Sequence, residues 1–182
     1  MNDSGAVLVP IEVRTVDGFG AGAVFSADRR FRFRYFREWP AGDGVCVFVM
    51  LNPSTADESI EDPTVRRCRG FAQSWGCSRL EVVNLFALRS TDPRALYDAL
   101  GAGVDPVGVG NDLAIYAAAV GARFVVAAWG RHGAIDSRGW YVRRALEARG
   151  VRLVCLGVNQ GGSPRHPLYV RADCAPVPFS GD

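Results

Sequence analysis

An unbroken apolar run at residues 45–51, VCVFVML, constrains the fold of this chain more than any other stretch. A strand with one exposed face alternates apolar and polar residues, so this run predicts a strand that is buried on both faces, in a sheet covered by helices. The run ends at Asn52-Pro53, because proline has no backbone N–H and fixes its own φ. Ser54 and Asp57 follow. Polar residues at this position lie where open α/β sheets bind ligands, although a helix-capping turn would have the same sequence.

Three further strands and the segments between them predict an α/β core. Buried strands are predicted at residues 80–85, 123–128 and 151–156. Helices are predicted to be capped by Asp62, which precedes Pro63, by Asn111 and by either Asp136 or Ser137, and a further helix is predicted to open at Asp92-Pro93. Alternation of strands and helices favours a parallel sheet with helices on both faces. The predicted fold is therefore an α/β three-layer sandwich with a central four-stranded parallel sheet in residues 41–182, preceded by an antiparallel strand element in residues 1–40.

The strand element at the N-terminus contains a regular alternation of charge. Strands are predicted at residues 6–13, 21–25 and 30–36, and in the last of these Arg30, Arg32 and Arg34 alternate with aromatic residues. A period of two places the arginines on one face of the strand and the aromatic rings on the other. This pattern is typical of an edge strand with a charged solvent face, and equally of a cationic face that meets phosphate.

Size and composition restrict the class of protein. The chain has 182 residues, of which 48% are hydrophobic, so we expect one domain spanning residues 1–182. No apolar run reaches the roughly 20 residues of a membrane span, and the N-terminus lacks a signal-type apolar core, so no membrane association and a cytoplasmic location are predicted. The net charge of +2 is too small to argue for nucleic acid by itself.

Few side chains are available for cofactor or nucleophilic chemistry. The five cysteines are widely spaced without a CxxC motif, so a disulfide framework, a zinc site and an iron–sulfur cluster are disfavoured, and no metal or cofactor is predicted. All 21 basic residues are arginine, which excludes a lysine nucleophile. Histidine chemistry has two candidates, His132 and His166, of which His132 lies in a glycine-rich loop that favours simple solvent exposure.

Polar signals follow each of the four core strands, and these make up the predicted site. They are Asn52-Pro53, Asn84, Trp129-Gly130 and, after a longer loop, His166-Pro167. Because the carboxyl ends of parallel strands share one edge, the four can converge on a single crevice. Arg89, which directly follows the second strand, and Arg66, on the first helix, are candidate ligands for phosphate or carboxylate; Arg89 could instead pair with Asp92. Trp129 could equally be a core residue.

The motifs MLNPSTAD, DPTVRRC, NLFALRSTDP, AWG and PRHPLYV, in this order, resemble a bacterial family catalogued as domain of unknown function 1643 (DUF1643). The same order is more distantly similar to the uracil-DNA glycosylase superfamily. The likeness includes a first motif matched by residues 50–54, a base-reading asparagine matched by Asn84, and a final histidine motif matched by His166-Pro167. Leu51, Ser54 and Leu168-Tyr169 depart from the superfamily pattern. The resemblance implies a uracil-DNA glycosylase-like fold and a pocket of nucleobase size.

The chemistry expected from this resemblance is hydrolysis of an N-glycosidic bond in DNA, RNA or a nucleoside. Asn52 would hold the water with help from Asp57 or Asp62, and His166 would donate to the leaving base. Asn84 would read the base edge, and Tyr169 or Phe86 would stack on the base. Two alternatives stay open. One is a non-catalytic sensor of nucleic acid or nucleotides. The other is a metal-dependent hydrolase that uses Asp57, Glu58, Glu61, Asp62 and His166.

Overall fold

A computed structural model describes residues 12–16, 18–54 and 62–181 of the protein. Asp57, Glu58 and Glu61 lie outside these residues, as does most of the strand predicted at residues 6–13. The described elements, in chain order, are β1 (Glu12–Val16), β2 (Phe19–Phe25), β3 (Arg32–Glu38), β4 (Val45–Met50), α1 (Pro63–Ser74), β5 (Arg79–Asn84), α2 (Arg94–Gly101), α3 (Asn111–Ala119), β6 (Phe124–Ala127), a 3-10 helix at Arg131–Ser137, α4 (Arg138–Glu147), β7 (Leu153–Cys155), a 3-10 helix at Pro167–Tyr169 and β8 (Val177–Pro178).

The described strands form one mixed sheet of eight strands in the order β1-β2-β3-β5-β4-β6-β7-β8. The pairs β5–β4, β4–β6 and β6–β7 are parallel, so the four predicted core strands do form a parallel array. The sheet as a whole is not a four-stranded parallel sheet, however. β1, β2 and β3 extend it on one side as antiparallel strands, and β8 pairs antiparallel with β7 on the other.

Helices cover both faces of this sheet, which gives the three layers that the apolar strands predict. On one face α1 packs through Val65, Cys68, Phe71 and Ala72 onto β4, β5 and β6. On the other face α2, α3 and α4 contribute apolar residues to a second cluster with the opposite side chains of the same strands. Residues 46–49 of β4 are fully buried, as an uninterrupted apolar run between two helical layers requires. None of the described helices combines the length and apolar character that crossing a membrane requires.

Helix boundaries follow the predicted capping chemistry in one case and depart from it in two. Asp62 caps α1 as predicted, since its Oδ1 accepts from the Val65 N–H at 2.8 Å and Pro63 occupies the first turn. The predicted cap at Asn111 is wrong: Gly110 is the N-cap, and Asn111 is a buried first residue of α3. Ser137 occupies the N-cap position of α4, one of the two predicted alternatives, but it has a positive φ and its side chain makes no capping hydrogen bond.

β3 is an interior strand, which contradicts the edge-strand interpretation of its arginines. It pairs with β2 on one side and with β5 on the other. The register between β2 and β3 shifts at Val24–Phe25, and such an irregularity changes the face to which a side chain points. Arg32 is consequently buried, at 5% exposure, whereas Arg34 forms a 2.6 Å ion pair with Glu81 of β5. The three arginines therefore do not share one solvent face.

The connections between the parallel strands place a switch point at the centre of the sheet. The chain leaves β4 through α1 to reach β5 on one side, and leaves the adjacent β6 through α4 to reach β7 on the other. Ligand crevices of open α/β sheets form where neighbouring connections diverge in this way, outside the carboxyl ends of the strands. Asn52 follows β4 and Trp129 follows β6, so both flank this point.

Candidate functional site

A cavity of about 1300 Å³ lies at the carboxyl ends of the parallel strands. Its described walls come from the segments that follow β4, β5, β6 and β7, together with the start of α1 and one residue of β3. The structure brings together seven of the ten predicted site residues on these walls: Asn52, Ser54, Asp62, Asn84, Trp129, His166 and Tyr169. Asp57 lies outside the described residues, and Arg66 and Arg89 are not among the lining residues.

Asn52 has an oriented amide. Its Nδ2 donates to the Ser90 carbonyl at 2.8 Å, and more distantly to the Pro53 carbonyl at 3.4 Å. Ser90 is itself fixed, because its N–H donates to the Pro53 carbonyl at 2.9 Å. These contacts tie the loop after β5 to the loop after β4 and set the plane of the amide. Oδ1 accepts no hydrogen bond from the described residues, which leaves an acceptor at the cavity wall for water or substrate.

Asn84 is the last residue of β5, and its side chain is buried at 2% exposure while lining the cavity. Its side-chain amide makes no hydrogen bond with any described residue. Its backbone carbonyl accepts from Nδ2 of Asn111 at 2.9 Å, and the same nitrogen donates to the Leu85 carbonyl at 3.1 Å. Asn111 therefore clamps the end of β5 from α3. The clamp presents the Asn84 amide to the cavity on a rigid strand end.

His166 is half-buried and precedes the 3-10 helix Pro167–Tyr169. The Leu168 N–H donates to its Nδ1 at 3.4 Å, which leaves Nε2 as the nitrogen that carries the proton of the neutral ring. Burial lowers the pKa of His166 below its usual 6.5, and the Asp62 carboxylate opposes this shift without cancelling it. The imidazole is therefore neutral at pH 7 and can donate from Nε2. The Tyr169 ring lies 5.7 Å from it, centroid to centroid.

Arg67, on α1, fixes the segment that carries His166. Its Nε donates to the Pro167 carbonyl at 3.4 Å, and its guanidinium also donates to the Val170 carbonyl. The Phe71 ring lies beneath the guanidinium at 5.1 Å. Arg67 therefore links α1 to the 3-10 helix Pro167–Tyr169 through hydrogen bonds.

Asp62 and Ser54 form a hydrogen-bonded pair at the start of α1. The Ser54 hydroxyl donates to Asp62 Oδ2 at 3.0 Å, while Oδ1 caps the helix. Both carboxylate oxygens are thus engaged in holding structure. The charge still acts on His166, but Asp62 is poorly placed to take a proton from a water molecule.

Trp129 and Gly130 form the wall contributed by β6. Trp129 is buried at 4% exposure and packs edge-on against Phe179, with ring centroids 5.6 Å apart, so the core role left open by the sequence is observed. Gly133 and Gly139 lie against its ring, where a Cβ on either would approach within 3 Å. Gly130 has a φ of +71° and borders His166, so the loop turns back towards the cavity at a position that favours glycine.

Three arginines on the cavity wall were missed as site residues by sequence reasoning: Arg32, Arg131 and Arg165. Asp62 is the one carboxylate among the described lining residues, so the formal charge of this wall is positive. The alternation in β3 had drawn attention to Arg32, but the shift in register that turns it inwards has no sequence signal. His132, given little weight in the sequence, also lines the cavity.

The remaining predicted residues lie elsewhere. Arg66 is exposed on α1. Arg89 lines a separate depression with Arg29 and Arg30, and its guanidinium donates to the Arg29 carbonyl at 3.1 Å. Asp92 pairs with Arg94 at 2.7 Å.

A metal centre finds no support within the described ranges 18–54 and 62–181. No group of three or more histidine, cysteine or acidic residues in them is arranged to hold an ion. Three of the five residues proposed for a metal-dependent hydrolase, Asp57, Glu58 and Glu61, lie outside the described residues, and Asp62 is occupied with Ser54 and the helix cap.

A family model matches most of the chain. No curated protein and no solved structure matches the chain significantly. A family model described as "Protein of unknown function (DUF1643)" matches residues 32–168, which begin at Arg32 in β3 and end beside His166. The match includes every described residue that lines the cavity except Tyr169. The chain therefore belongs to the DUF1643 family.

Proposed function

We propose that the cavity binds a nucleobase and that the protein hydrolyses the N-glycosidic bond of a nucleoside unit in DNA, RNA or a free nucleoside. The observation that carries this proposal is the Asn84 amide. It is 2% exposed, opens onto the cavity and makes no hydrogen bond with the described residues. Neither amide atom of Asn84 is among the fully buried unpaired polar atoms of the described residues, so the amide meets the solvent of the cavity. A ligand with a complementary edge can replace that solvent through paired hydrogen bonds.

A nucleobase edge fits this amide because it offers donors and acceptors side by side in one plane. Asparagine presents the same combination and pairs with a base through two hydrogen bonds, worth about 1–3 kcal/mol in discrimination. Met50 and Val82 supply apolar surface beside Asn84, and the exposed Tyr169 ring stands beside His166 for stacking. A volume of about 1300 Å³ accommodates a base together with its sugar.

The groups around Asn84 suit a dissociative cleavage. As the bond from the base nitrogen to C1′ breaks, its electron pair stays on the base, and the neutral His166 ring stabilises the developing charge by donating from Nε2. Asn52 Oδ1 accepts a hydrogen bond from the water whose oxygen bonds to C1′; the proton lost by this water passes to solvent. Asp62 stabilises the cationic sugar electrostatically, since both its oxygens are engaged. The order of the sequence motifs, which resembles that of the uracil-DNA glycosylase superfamily, supports this assignment.

A second function, binding of a nucleotide or nucleic acid without turnover, is favoured by one observation. The only described carboxylate on the cavity wall, Asp62, is committed to Ser54 and to the helix cap. A sensor needs the Asn84 amide and the arginines of the cavity wall, but it needs no activated water. It would therefore keep base binding and lack base release.

Release of free base from a panel of modified DNA and RNA oligonucleotides and nucleosides tests the proposal. Asn52→Ala and His166→Ala are expected to lower the rate by about 100-fold or more, within the range for loss of a proton donor or water-orienting group. Asn84→Ala should lower it by about 10- to 100-fold. Gln73→Ala, an exposed amide on α1, is the matched control. Base binding without release by the wild type would establish the sensor instead, and neither binding nor release across the panel would overturn both.

A further inference from the structure

Two exposed arginines line the cavity on the side formed by β6 and β7, and the proposed hydrolysis gives neither of them a role. Arg131 is the first residue of the 3-10 helix after β6, and Arg165 lies in the loop that follows β7. A Cβ on Gly130 would lie 3.9 Å from the Cβ of His166. Arg131 follows Gly130 and Arg165 precedes His166, so the two arginines begin one residue away from this contact. Both side chains are long enough to reach a single ligand between them.

The side chain of Arg165 is held in place by the loop after β7. Its Nε donates to the Val158 carbonyl at 3.1 Å, and its backbone N–H donates to the Gly157 carbonyl at 2.9 Å. A Cβ on Gly157 would lie 3.8 Å from Cδ of Arg165, so the aliphatic part of the side chain passes over the glycine. With Nε engaged, the two terminal nitrogens make no hydrogen bond or ion pair with any residue that the structure describes. They are available as a two-pronged donor at the cavity.

Arg131 also keeps its terminal nitrogens available. Its Nε contacts Nε2 of His132 at 3.4 Å, and within the described part of the chain no carboxylate pairs with its guanidinium. Arginines on other surfaces of the fold are matched differently; Arg143 on α4, for example, pairs with Glu147 at 2.8 Å. Arg131 and Arg165 thus bring two sets of charged donors to one side of the cavity.

The turn at the tip of the loop after β7 adds backbone donors. The Asn159 N–H donates to the Ser163 carbonyl at 2.8 Å, and the Gly162 N–H donates to the Asn159 carbonyl at 3.0 Å, which fixes the turn. Gln160 and Gly161, between them, line the cavity, and their N–H groups have no acceptor among the described residues. Backbone N–H groups beside guanidinium groups are a donor set that proteins use for phosphate.

The order of the strands sets the distance between this donor set and Asn84. Asn84 ends β5, Asn52 follows β4 and Arg131 follows β6, and these strands are neighbours in the order β5-β4-β6-β7. Adjacent strands lie about 4.8 Å apart, so the ends of β5 and β6 are separated by about 10 Å along the edge of the sheet. A nucleotide carries its base at one end, its sugar in the middle and its phosphate at the other end. Lying along this edge, it would place its base at Asn84, its sugar near Asn52 and its phosphate at the arginines.

We propose that Arg131 and Arg165, together with the turn at Gln160-Gly161, form a subsite for the phosphate group of a nucleotide whose base pairs with Asn84. Arginine suits this group because its planar guanidinium forms paired, charge-assisted hydrogen bonds with phosphate oxygens. This inference rests on the proposed function for the base and adds the phosphate to the ligand.

Isothermal titration calorimetry with a panel of nucleosides and their 5′-monophosphates tests the subsite without any need for turnover. The wild type should bind a monophosphate more tightly than its nucleoside. Arg131→Gln and Arg165→Gln should each weaken the monophosphate by about 10-fold or more, the effect of losing a hydrogen bond to a charged group, and should leave the nucleoside unchanged. Both arginines are exposed, so the melting temperature should stay that of the wild type. Arg152→Gln, an exposed arginine next to the amino end of β7 and so opposite the cavity, is the matched control.

Inorganic phosphate separates the fate of this subsite from that of the proposed function. Added to the wild type, it should shift the amide NMR signals of Gln160 and Gly161, and the double variant Arg131→Gln/Arg165→Gln should not respond. Such shifts without binding of any nucleoside would support the anion subsite and overturn the proposed nucleobase site. Nucleoside binding with no gain from the phosphate, or variants that bind monophosphates as the wild type does, would overturn the subsite alone.

A labelled single-stranded oligonucleotide identifies the source of the phosphate. Weakened binding of both the oligonucleotide and the monophosphates by the two variants would support a subsite that serves free nucleotides as well as strands. Weakening of the oligonucleotide alone would support a subsite for the phosphate of a strand. No binding of monophosphate, oligonucleotide or inorganic phosphate by the wild type would overturn the inference.

Discussion

His166 owes its proton-donor character to its surroundings. Burial removes water from the ring and disfavours the charged form, which lowers the pKa below the ordinary 6.5, while the Asp62 carboxylate acts in the opposite direction. The bond from the Leu168 N–H to Nδ1 selects the tautomer with its proton on Nε2. A neutral donor is well matched to the leaving base of the proposed hydrolysis, which gains charge only as the bond breaks.

The lowered pKa of His166 predicts how the stability of the folded protein depends on pH. In the unfolded chain the ring protonates near pH 6.5, and in the folded protein it does so at lower pH. The contribution of the neutral His166 ring to the free energy of unfolding is therefore fully present above pH 6.5, and it is lost as the pH falls through the pKa of the folded state. An NMR titration of the imidazole, assigned with His132→Gln, should give a midpoint below 6.5. Asp62→Asn should lower it further, because asparagine keeps the cap but removes the charge. A midpoint at or above 6.5 would contradict this account.

Single residues at strand ends could be placed from the sequence, whereas residues that depend on pairing could not. Asn52, Asn84 and His166 follow buried strands, and the shared edge of a parallel sheet brings them onto one cavity. Arg32 reaches the same cavity because of a shift in register between β2 and β3, which no local pattern encodes. Asparagine is a residue that commonly caps helices, but in α3 the N-cap position belongs to the preceding Gly110. Asn111 is instead the first residue of the helix and lies buried beneath Asn84.

At the scale of elements, the loop after β6 is shaped by glycine packed against an aromatic ring. A Cβ on Gly133 would lie 1.9 Å from the Trp129 ring, so Gly133→Ala must displace either the tryptophan or the 3-10 helix Arg131–Ser137, in which Gly133 lies. We expect a loss of about 1–3 kcal/mol in unfolding free energy, the range of overpacked cores with backbone shifts. We also expect a loss of the proposed base binding, since Trp129 and Gly130 line the cavity. Chemical denaturation and ligand titration measure the two effects.

The matched control is a glycine whose Cβ would meet nothing. Gly70 lies within α1, and no atom is found within 4 Å of the position its Cβ would take. Gly70→Ala should therefore stabilise the protein by about 0.5–1 kcal/mol, the difference in helix propensity. Equal effects of the two substitutions would show that the ring contact of Gly133 does not matter.

Elements with strong periodic or apolar patterns were predictable, and irregular ones were not. The four buried strands and α1 follow from apolar runs and from Asp62-Pro63. The 3-10 helix at Arg131–Ser137 and the left-handed Asp136 and Ser137 depend on how the loop packs over Trp129. The short strand β8 is defined by its pairing with β7. Its two residues carry no local pattern from which this non-local contact could be predicted.

At the scale of the whole molecule, the antiparallel and parallel parts of the sheet are joined at a buried ion pair. Glu81 of β5 is 4% exposed and accepts from Arg34 of β3 at 2.6 Å and from Arg79 at 2.7 Å, while Arg79 also contacts Glu38 at 2.5 Å. The junction lies at the β3–β5 pairing, the point where the predicted N-terminal strand element meets the predicted core. The continuous sheet gives the two parts a common interior on the α1 face, where Phe25 and Tyr35 pack with Phe48.

This junction predicts that the described sheet unfolds as one unit and that Glu81 contributes to the whole of it. Far-UV circular dichroism and tryptophan fluorescence should give coincident thermal transitions, because neither part buries its apolar face alone. Glu81→Ala leaves two arginines without their shared carboxylate and should cost about 3 kcal/mol, or roughly 6–12 °C in Tm for a chain of this size. Glu147→Ala, which removes a more exposed pair with Arg143 on α4, should cost less than about 1 kcal/mol. Two separated transitions in the Glu81 variant would instead mean that the strand element unfolds independently and that the ion pair, rather than the shared apolar interior, couples it to the core.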